Sequence, residues 1–300
     1  MTPLPPLPYP EWEQTKETLH LWAQIVGKVK LASSPPKNHW WHVPLYLDVR
    51  GLTTRLLHGQ DGTAFEIRFD FADHRLVVET ATAEESFALG DLSVAGFDER
   101  LHAALARLGL DVAIVERPFG VPMTTPFRED DEHASYDAEA VERFWHVLNW
   151  SAGVLEEFAG WFCGKQSPVH VFWHSFDLAL TRFSGRRAPD LTEADAVTRE
   201  AYTHEVVSFG FWAGDRQVRK PTYYSYTAPE PPGLTARALS PASARWVESG
   251  TGSLAQLPYE DVRTALDPRA TLLEFLQSAY EAGADAAGWD RGELLSSWCP

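Results

Sequence analysis

Three histidines lie in segments where apolar and polar residues alternate as they do in a β-strand. Their positions could allow them to bind a metal ion together. His170 and His174 are four residues apart, which places both side chains on one face of a strand predicted over 169–183. His204 begins the next predicted strand, over 204–212. Three imidazoles with a water as the fourth ligand would hold a divalent transition-metal ion that activates water or binds dioxygen. The spacing is not specific to metal sites, so the same histidines could instead satisfy backbone carbonyl groups in the core.

A second group of side chains could transfer protons to and from a substrate. Imidazole titrates near neutral pH, so it can act as a general acid or base, and a neighbouring carboxylate can be a base or orient the ring. The candidates are His39, His42, His204, Glu205 and Asp177. The sequence lacks the G-x-G-x-x-G, P-loop, H-E-x-x-H and G-x-S-x-G motifs, and no histidine begins an H-x-D or H-x-E motif. The residues therefore indicate acid–base chemistry without a motif that identifies the reaction.

Three arginines could bind an anionic substrate. Arg182 and Arg186 flank Phe183-Ser184-Gly185, and Arg50 immediately precedes Gly51. A guanidinium group beside hydroxyls and a glycine backbone matches the geometry of a carboxylate or phosphate. Ordinary ion pairs at strand ends would explain the same arginines.

Aromatic side chains beside the predicted strands could form a binding wall. The candidates are Trp41, Trp173 and Tyr226. Alternation along a strand directs one member of each adjacent aromatic pair away from the core, where it could stack on a heterocycle, a sugar or a peptide side chain. Core packing and an interface for self-association are the alternatives.

The overall charge argues against two classes of partner. The 300 residues carry 26 Lys and Arg against 42 Asp and Glu, a formal net charge of −16. Nucleic-acid binding and docking on anionic membranes both need basic surfaces, so we expect neither. No apolar run approaches the roughly 20 residues that span a bilayer, and residues 1–10 show no secretory signal. With only Cys163 and Cys299, a disulfide framework is not expected, and we predict a cytoplasmic protein that binds a small molecule.

The elements that must position these side chains form two similar halves. Apolar periodicity and turn residues predict the helices 11–30, 98–108, 137–163 and 267–282, and the strands 42–50, 65–71, 75–80, 169–183, 204–212 and 222–227. An acidic, Pro-rich linker at 118–135 separates residues 1–117 from residues 136–300. Each half has a long helix, strands and a closing helix, and Trp41-His42 is echoed by Trp173-His174. The predicted fold is α+β, with two mainly antiparallel sheets packed on long helices in one unit. An internal duplication would explain the similarity of the two halves, and coincidence in a Trp-rich chain is the alternative.

Five sequence runs carry a family resemblance: 18–28, 38–46, 167–170, 175–186 and 199–206, of which 18–28 and 38–46 contain both Trp and His. They resemble an uncharacterised bacterial family described only as a domain of unknown function. The resemblance covers nearly the whole chain and implies a single architectural unit, but it implies no activity. The family's pattern has glycine where this chain has His174, so the resemblance favours a set formed by His39, His42, His170, His204 and Glu205.

Together these features predict an enzyme that acts on a small polar or anionic substrate between the sheets. Histidines would be metal ligands or general acids and bases, and arginines would hold the substrate. The alternative is a non-catalytic module that binds a ligand or a peptide in a Trp/Tyr-lined groove.

Overall fold

The computed structural model describes residues 3–250 and 252–297, so Cys299 lies outside the described residues. The helices are α1 (Tyr9–Ala32), α2 (Val94–Arg107), α3 (Ala138–Gly160), α4 (Ala196–Ala201), α5 (Tyr259–Arg263), α6 (Pro268–Ala286) and α7 (Arg291–Leu294). The strands are β1 (Tyr46–Leu47), β2 (Gly51–Thr53), β3 (Leu57–His58), β4 (Ala64–Asp70), β5 (Arg75–Thr80), β6 (Glu84–Ala88), β7 (His170–Phe172), β8 (Asp177–Arg187), β9 (His204–Trp212), β10 (Thr222–Ala228), β11 (Arg245–Ser249) and β12 (Gly252–Pro258).

The first sheet is antiparallel and packs on α1 and α2. Its strand order is β1-β2-β4-β5-β6, with β3 paired to β4. Alternation along β4 buries Phe65, Ile67 and Phe69 on one face. Phe69 stacks on Phe97 of α2, which in turn stacks on Trp22 of α1.

The second sheet is also antiparallel and packs on α3 and α6. Its order is β11-β12-β10-β9-β8-β7. Phe209 of β9 meets Phe158 of α3 edge-on, with ring centroids 5.1 Å apart. Leu45 and Val171 exchange two backbone hydrogen bonds of 2.8 Å, so this pair joins the two sheets at their neighbouring edges. The α+β arrangement of two antiparallel sheets predicted from the sequence is confirmed.

Helix α1 is buried on almost every side because it runs between the other elements. Trp12 packs against Phe144 of α3, while Trp22 packs against α2. Its polar side chains are buried with its apolar ones: Thr15, Lys16, Glu17, Thr18, His20, Gln24, Lys28 and Lys30. The sequence predicts one apolar stripe here, and the structure adds a buried polar face that needs partners.

The predicted strand 42–50 is much shorter in the structure. Residues Asn38–Trp40 form a 3-10 helix in which His39 and Trp40 both have a positive φ. At the other end, the Asp48 carboxylate accepts the backbone N–H of Arg50 and ends β1 in a turn. The strand is therefore limited to Tyr46 and Leu47, with Leu45 before it forming the bridge to Val171.

The predicted strand 169–183 is a hairpin. Its two strands, β7 and β8, are joined by a turn over 173–176 in which Phe176 has a φ of 56°. His170 lies in β7 and His174 in the turn, so the prediction that period-two alternation places them on one face is wrong.

The other long predictions are confirmed with small shifts at their ends. Asp267 caps α6 by accepting the N–H of Ala270, and β9 has the predicted limits. Within the described part of the chain, no helix is long and apolar enough to cross a membrane. The division at 118–135, the internal duplication and self-association stay predictions.

Candidate functional site

A cavity of about 710 Å³ lies on the face of the second sheet that points away from α3 and α6. We call it the sheet cavity. Alternate residues of the three central strands form its floor: Asp177, Ala179, Thr181 and Phe183 of β8, Val206, Ser208 and Trp212 of β9, and Tyr224 and Tyr226 of β10. Its walls come from α1, α4 and residues 39–41, 120–123, 172, 174–175 and 215–217. The cavity is within the size range of sites that bind small molecules.

Small residues at the centre of the floor leave this space open. Ala179 pairs with Gly210, and Thr181 pairs with Ser208 through hydroxyls 2.9 Å apart. Tyr224 lies opposite Gly210 on the other side. A Cβ atom at Gly210 would lie 2.5 Å from the Tyr224 hydroxyl oxygen, so glycine allows that phenol to lie across the strand.

The walls are held in position by side chains that form hydrogen bonds with backbone groups far away in the sequence. Gln24 of α1 accepts the N–H of Phe119 at 2.8 Å and donates to its carbonyl at 2.9 Å, which fixes the start of the 120–123 wall. His39 Nδ1 and Trp40 Nε1 donate to the carbonyls of Ala201 and Val197, both at 3.1 Å, and hold α4 in place.

A buried carboxylate sits at one part of the floor. Asp177 is 8% exposed and accepts hydrogen bonds from the hydroxyls of Ser175 and Tyr224, one at each oxygen. Burial and the Asp177 charge raise the pKa of Tyr224 well above 10, so Tyr224 remains protonated and donates. Across the described residues no lysine, arginine or histidine forms an ion pair with Asp177.

His174 provides a neutral base next to this carboxylate. Its ring lies against Phe172, Trp173 and Phe119 and lines the sheet cavity. Burial lowers its pKa below 6.5, against the opposing effect of Asp177. Neither ring nitrogen forms a hydrogen bond within residues 3–250 and 252–297.

The turn that carries His174 is anchored to α1. His20 Nε2 donates to the backbone carbonyl of His174 at 3.1 Å. Trp173 packs flat against Gly27, where an added Cβ would lie 2.2 Å from the indole Cγ. Because these contacts come from α1, the position of His174 depends on a helix about 150 residues away in sequence.

Lys16 is a buried cation in the same wall. It is 4% exposed, lines the sheet cavity and lies one helical turn before His20. Burial lowers its pKa from 10.5. Burial, aided by the Lys16 charge, lowers the pKa of His20 well below 6.5, so His20 is neutral at pH 7.

No described residue forms an ion pair or a hydrogen bond with the Lys16 ammonium. Three carboxylates raise its pKa from a distance, but each has its own partner. Arg219 donates to both oxygens of Glu13, Arg216 donates to both oxygens of Glu17, and Asp215 accepts the backbone N–H groups of Gln217 and Val218.

Five of the residues proposed from the sequence line the sheet cavity: His39, Trp41, His174, Asp177 and Tyr226. His39 is held at both ring nitrogens, because Lys165 Nζ lies 2.8 Å from Nε2. His204 lies beside it with ring centroids 5.5 Å apart, but outside the cavity lining. His42 accepts the backbone N–H of Lys37 and stacks on Trp40.

The predicted arginine and glutamate residues have structural partners elsewhere. Glu205 faces the helices and accepts from Arg186 and Trp289. Arg182 points into the core, with its guanidinium 3.6 Å from the Phe158 ring centroid. Arg50 pairs with Asp70 and Asp73 in the first sheet. The indole of Trp173 packs against Gly27 of α1 and does not line the sheet cavity.

The three histidines considered as metal ligands do not come together. His170 is buried between Tyr46 and Phe172, while His174 lines the sheet cavity. In the described chain, the group of His, Cys, Asp and Glu with ligand atoms within 4.8 Å is Asp98, His102 and Glu116. There a hydrogen bond with Asp98 raises the pKa of His102 to about 9. Arg128 lies 3.3 Å from Glu116, so the group is an ion-pair cluster.

Sequence reasoning missed Lys16 and His20 as site residues. Lys16, His20 and Gln24 form a polar row at four-residue steps, the usual pattern of a solvent-facing helix surface. The row Lys16, His20 and Gln24 contains no acidic residue that could pair with Lys16 along the helix, and this is the sequence signal that could have marked it.

The chain belongs to a family of unknown function, DUF5996, which matches residues 4–296. The predicted resemblance to a family of this kind over nearly the whole chain is confirmed. No curated protein and no solved structure matches the chain.

Proposed function

We propose that the sheet cavity binds a small organic anion and that Lys16 holds its charged group. The observation that carries this proposal is the Lys16 ammonium, which is 4% exposed, lines the cavity and has no counterion within 4 Å among the described residues. A buried charge without a partner is costly, and an anionic ligand would supply the missing partner.

The rest of the lining favours an organic ligand over a simple inorganic ion. Trp41, Phe172, Trp212 and the floor tyrosines offer flat apolar surface, while Thr181 and Ser208 offer hydroxyls. Aromatic side chains bind planar or apolar groups, and the few polar groups fix their orientation. This supports a carboxylate, phosphate or sulfonate attached to an apolar body.

A thermal-shift panel tests this function. Carboxylates, phosphates and sulfonates are compared with their neutral amides or alcohols on the wild type, on Lys16→Met and on Lys220→Met, which removes an exposed lysine outside the cavity. We expect anions to raise the melting temperature of the wild type and of Lys220→Met more than the neutral analogues do, and to lose that advantage in Lys16→Met. Equal shifts for anions and neutral analogues in the wild type would reject the proposal.

Catalysis on the bound anion is the second candidate, and His174 is the observation that favours it. A neutral imidazole with both nitrogens without hydrogen-bond partners among the described residues, beside a carboxylate in a cavity, is suited to accept a proton. His174→Gln keeps the size and polarity but removes the base.

The catalytic candidate is tested by incubating a bacterial metabolite extract with each protein and comparing the products by mass spectrometry. An enzyme of this type would change the amount of at least one anion with the wild type and leave it unchanged with His174→Gln. If the extracts are identical after both incubations and anion binding is retained, the catalytic candidate is rejected and the protein is a binding protein.

A further inference from the structure

We infer that the ligand of the sheet cavity is a zwitterion, which places its anionic group at Lys16 and a protonated amine at Asp177. The inference rests on the proposed function, because it takes the Lys16 end from there. It adds a second charged group to the ligand and assigns that group to a different place in the cavity.

Asp177 has the properties of an ammonium site. It is 8% exposed, and each of its oxygens accepts a single hydroxyl, from Ser175 or Tyr224. A carboxylate has about four acceptor positions, so two remain for a further donor. Within the part of the chain that the structure describes, no cationic side chain lies within 4 Å of it. The nearby His174 is neutral at pH 7, since burial lowers its pKa below 6.5.

The side chains around Asp177 also favour a cation. Tyr224 and Tyr226 stack with ring centroids 6.2 Å apart and an angle of 11°, forming one flat wall. Tyr202 reaches this wall through a hydroxyl contact of 3.0 Å with Tyr226, and Trp212 is the cross-strand partner of Asp177. Aromatic faces attract ammonium groups, and the attraction grows when water is excluded.

Lys16 and Asp177 do not neutralise each other, since no ion pair joins them in residues 3–250 and 252–297. Lys16 in the wall and Asp177 in the floor are connected through α1, because Lys16 precedes His20 by one turn and His20 donates to the carbonyl of His174, three residues before Asp177. A simple anion would offset the charge of Lys16 and leave that of Asp177 buried. A ligand with both charges offsets both, which is the reason to prefer a zwitterion.

A series of chain lengths tests the inference and measures the separation of the two charges. The probes are the ω-amino carboxylates from 4-aminobutanoate to 8-aminooctanoate, each compared with the alkanoate of the same length, and affinities are measured by NMR titration. Wild type, Asp177→Asn, Lys16→Met and the exposed-site control Asp111→Asn are compared. Asp177→Asn removes the charge and retains one oxygen that can accept the Tyr224 hydroxyl, while an amide NH2 group replaces the oxygen that faces Ser175.

We expect the amine to improve binding to the wild type by about tenfold at one or more lengths. The advantage of the amine should disappear in Asp177→Asn and persist in Asp111→Asn. The comparison of probes on the wild type needs no variant, so it decides the inference even if Asp177→Asn does not fold.

Three results would overturn the inference. If the amine improves the affinity at no chain length while the alkanoates still bind in a Lys16-dependent way, the zwitterion is rejected and the proposed function stands. An advantage that survives in Asp177→Asn would place the amine elsewhere. Failure of both probe series to bind would reject the inference, and the proposed function would fall with it if the phosphates and sulfonates of the thermal-shift panel also gave no advantage over their neutral analogues.

Discussion

The outer faces of the two sheets are built in opposite ways. On the first sheet, Glu66 and Glu79 are cross-strand neighbours, and Arg68 lies 3.5 Å from Glu79 and 3.9 Å from Glu66. These side chains remain partly exposed, so water and opposite charges both stabilise them. On the second sheet, the corresponding face carries small residues, tyrosines and Asp177, and it is covered by α1 and α4.

The difference shows where binding is to be expected. Charges on the first sheet already have partners, so a ligand there would have to displace water and existing ion pairs. Lys16 and Asp177, above the second sheet, are buried without counterions among the described residues, so a ligand offsets a cost that the fold already carries. We therefore expect two sheets of the same strand number to differ in ligand binding because different elements cover them.

The largest effect is expected where the turn that carries His174 docks on α1. Gly27→Ala places a Cβ inside the Trp173 ring, so the indole must move, and we expect a loss of about 2 kcal/mol in the free energy of unfolding. The same change at Gly153 in α3 meets no atom within 4 Å and should stabilise the protein by up to about 1 kcal/mol. Urea unfolding of both variants checks this. Equal effects at the two positions would show that Trp173 does not anchor the turn.

Removal of a charge should have opposite effects above the two sheets. Lys16→Met replaces a buried, unpaired ammonium with an apolar side chain of similar length, so we expect the ligand-free protein to gain about 1–2 kcal/mol. Arg68→Met removes a partly exposed ion pair and should cost less than about 1 kcal/mol. Calorimetric melting without added ligand measures both. A destabilised Lys16→Met would mean that the ammonium has a stabilising partner within the fold.

The histidines of the two regions should give opposite pH dependence of stability. The pKa of His102 is raised to about 9, so its contribution is complete below pH 6.5 and is lost as the pH rises through 9. The pKa of His174 is lowered by burial, so its contribution is complete above pH 6.5 and is lost as the pH falls through the lowered value. Urea unfolding of His102→Gln and His174→Gln from pH 5 to 10 separates the two. Parallel pH curves for the two variants would contradict the assigned environments.

Local sequence signals predicted most elements but could not predict the turn or the cavity. The limits of β9 and the start of α6 follow from alternation and from the Asp267 cap, both of which act within a few residues. The turn at 173–176 depends instead on Gly27 and His20, which no local pattern relates to it.

Asp177 was a candidate because a carboxylate can act as a base or orient an imidazole, and Tyr226 because strand alternation directs one member of an adjacent aromatic pair away from the core. Lys16 and His20 were missed because the polar row of α1 looks solvent-facing until α4 and residues 120–123 cover it. Residues within the strands could therefore be proposed from the sequence. The burial of α1 residues by distant segments could not be predicted.

The central claim is that the Lys16 ammonium binds the anionic group of the ligand. NMR titration of the Lys16 side chain, labelled with ¹³C at Cε, measures its pKa with and without saturating octanoate. We predict that the Lys16 pKa lies below 10.5 in the free protein and is higher with octanoate bound. The affinity for octanoate should fall as the pH rises through the Lys16 pKa of the free protein. A Lys16 pKa that octanoate binding leaves unchanged would contradict the account.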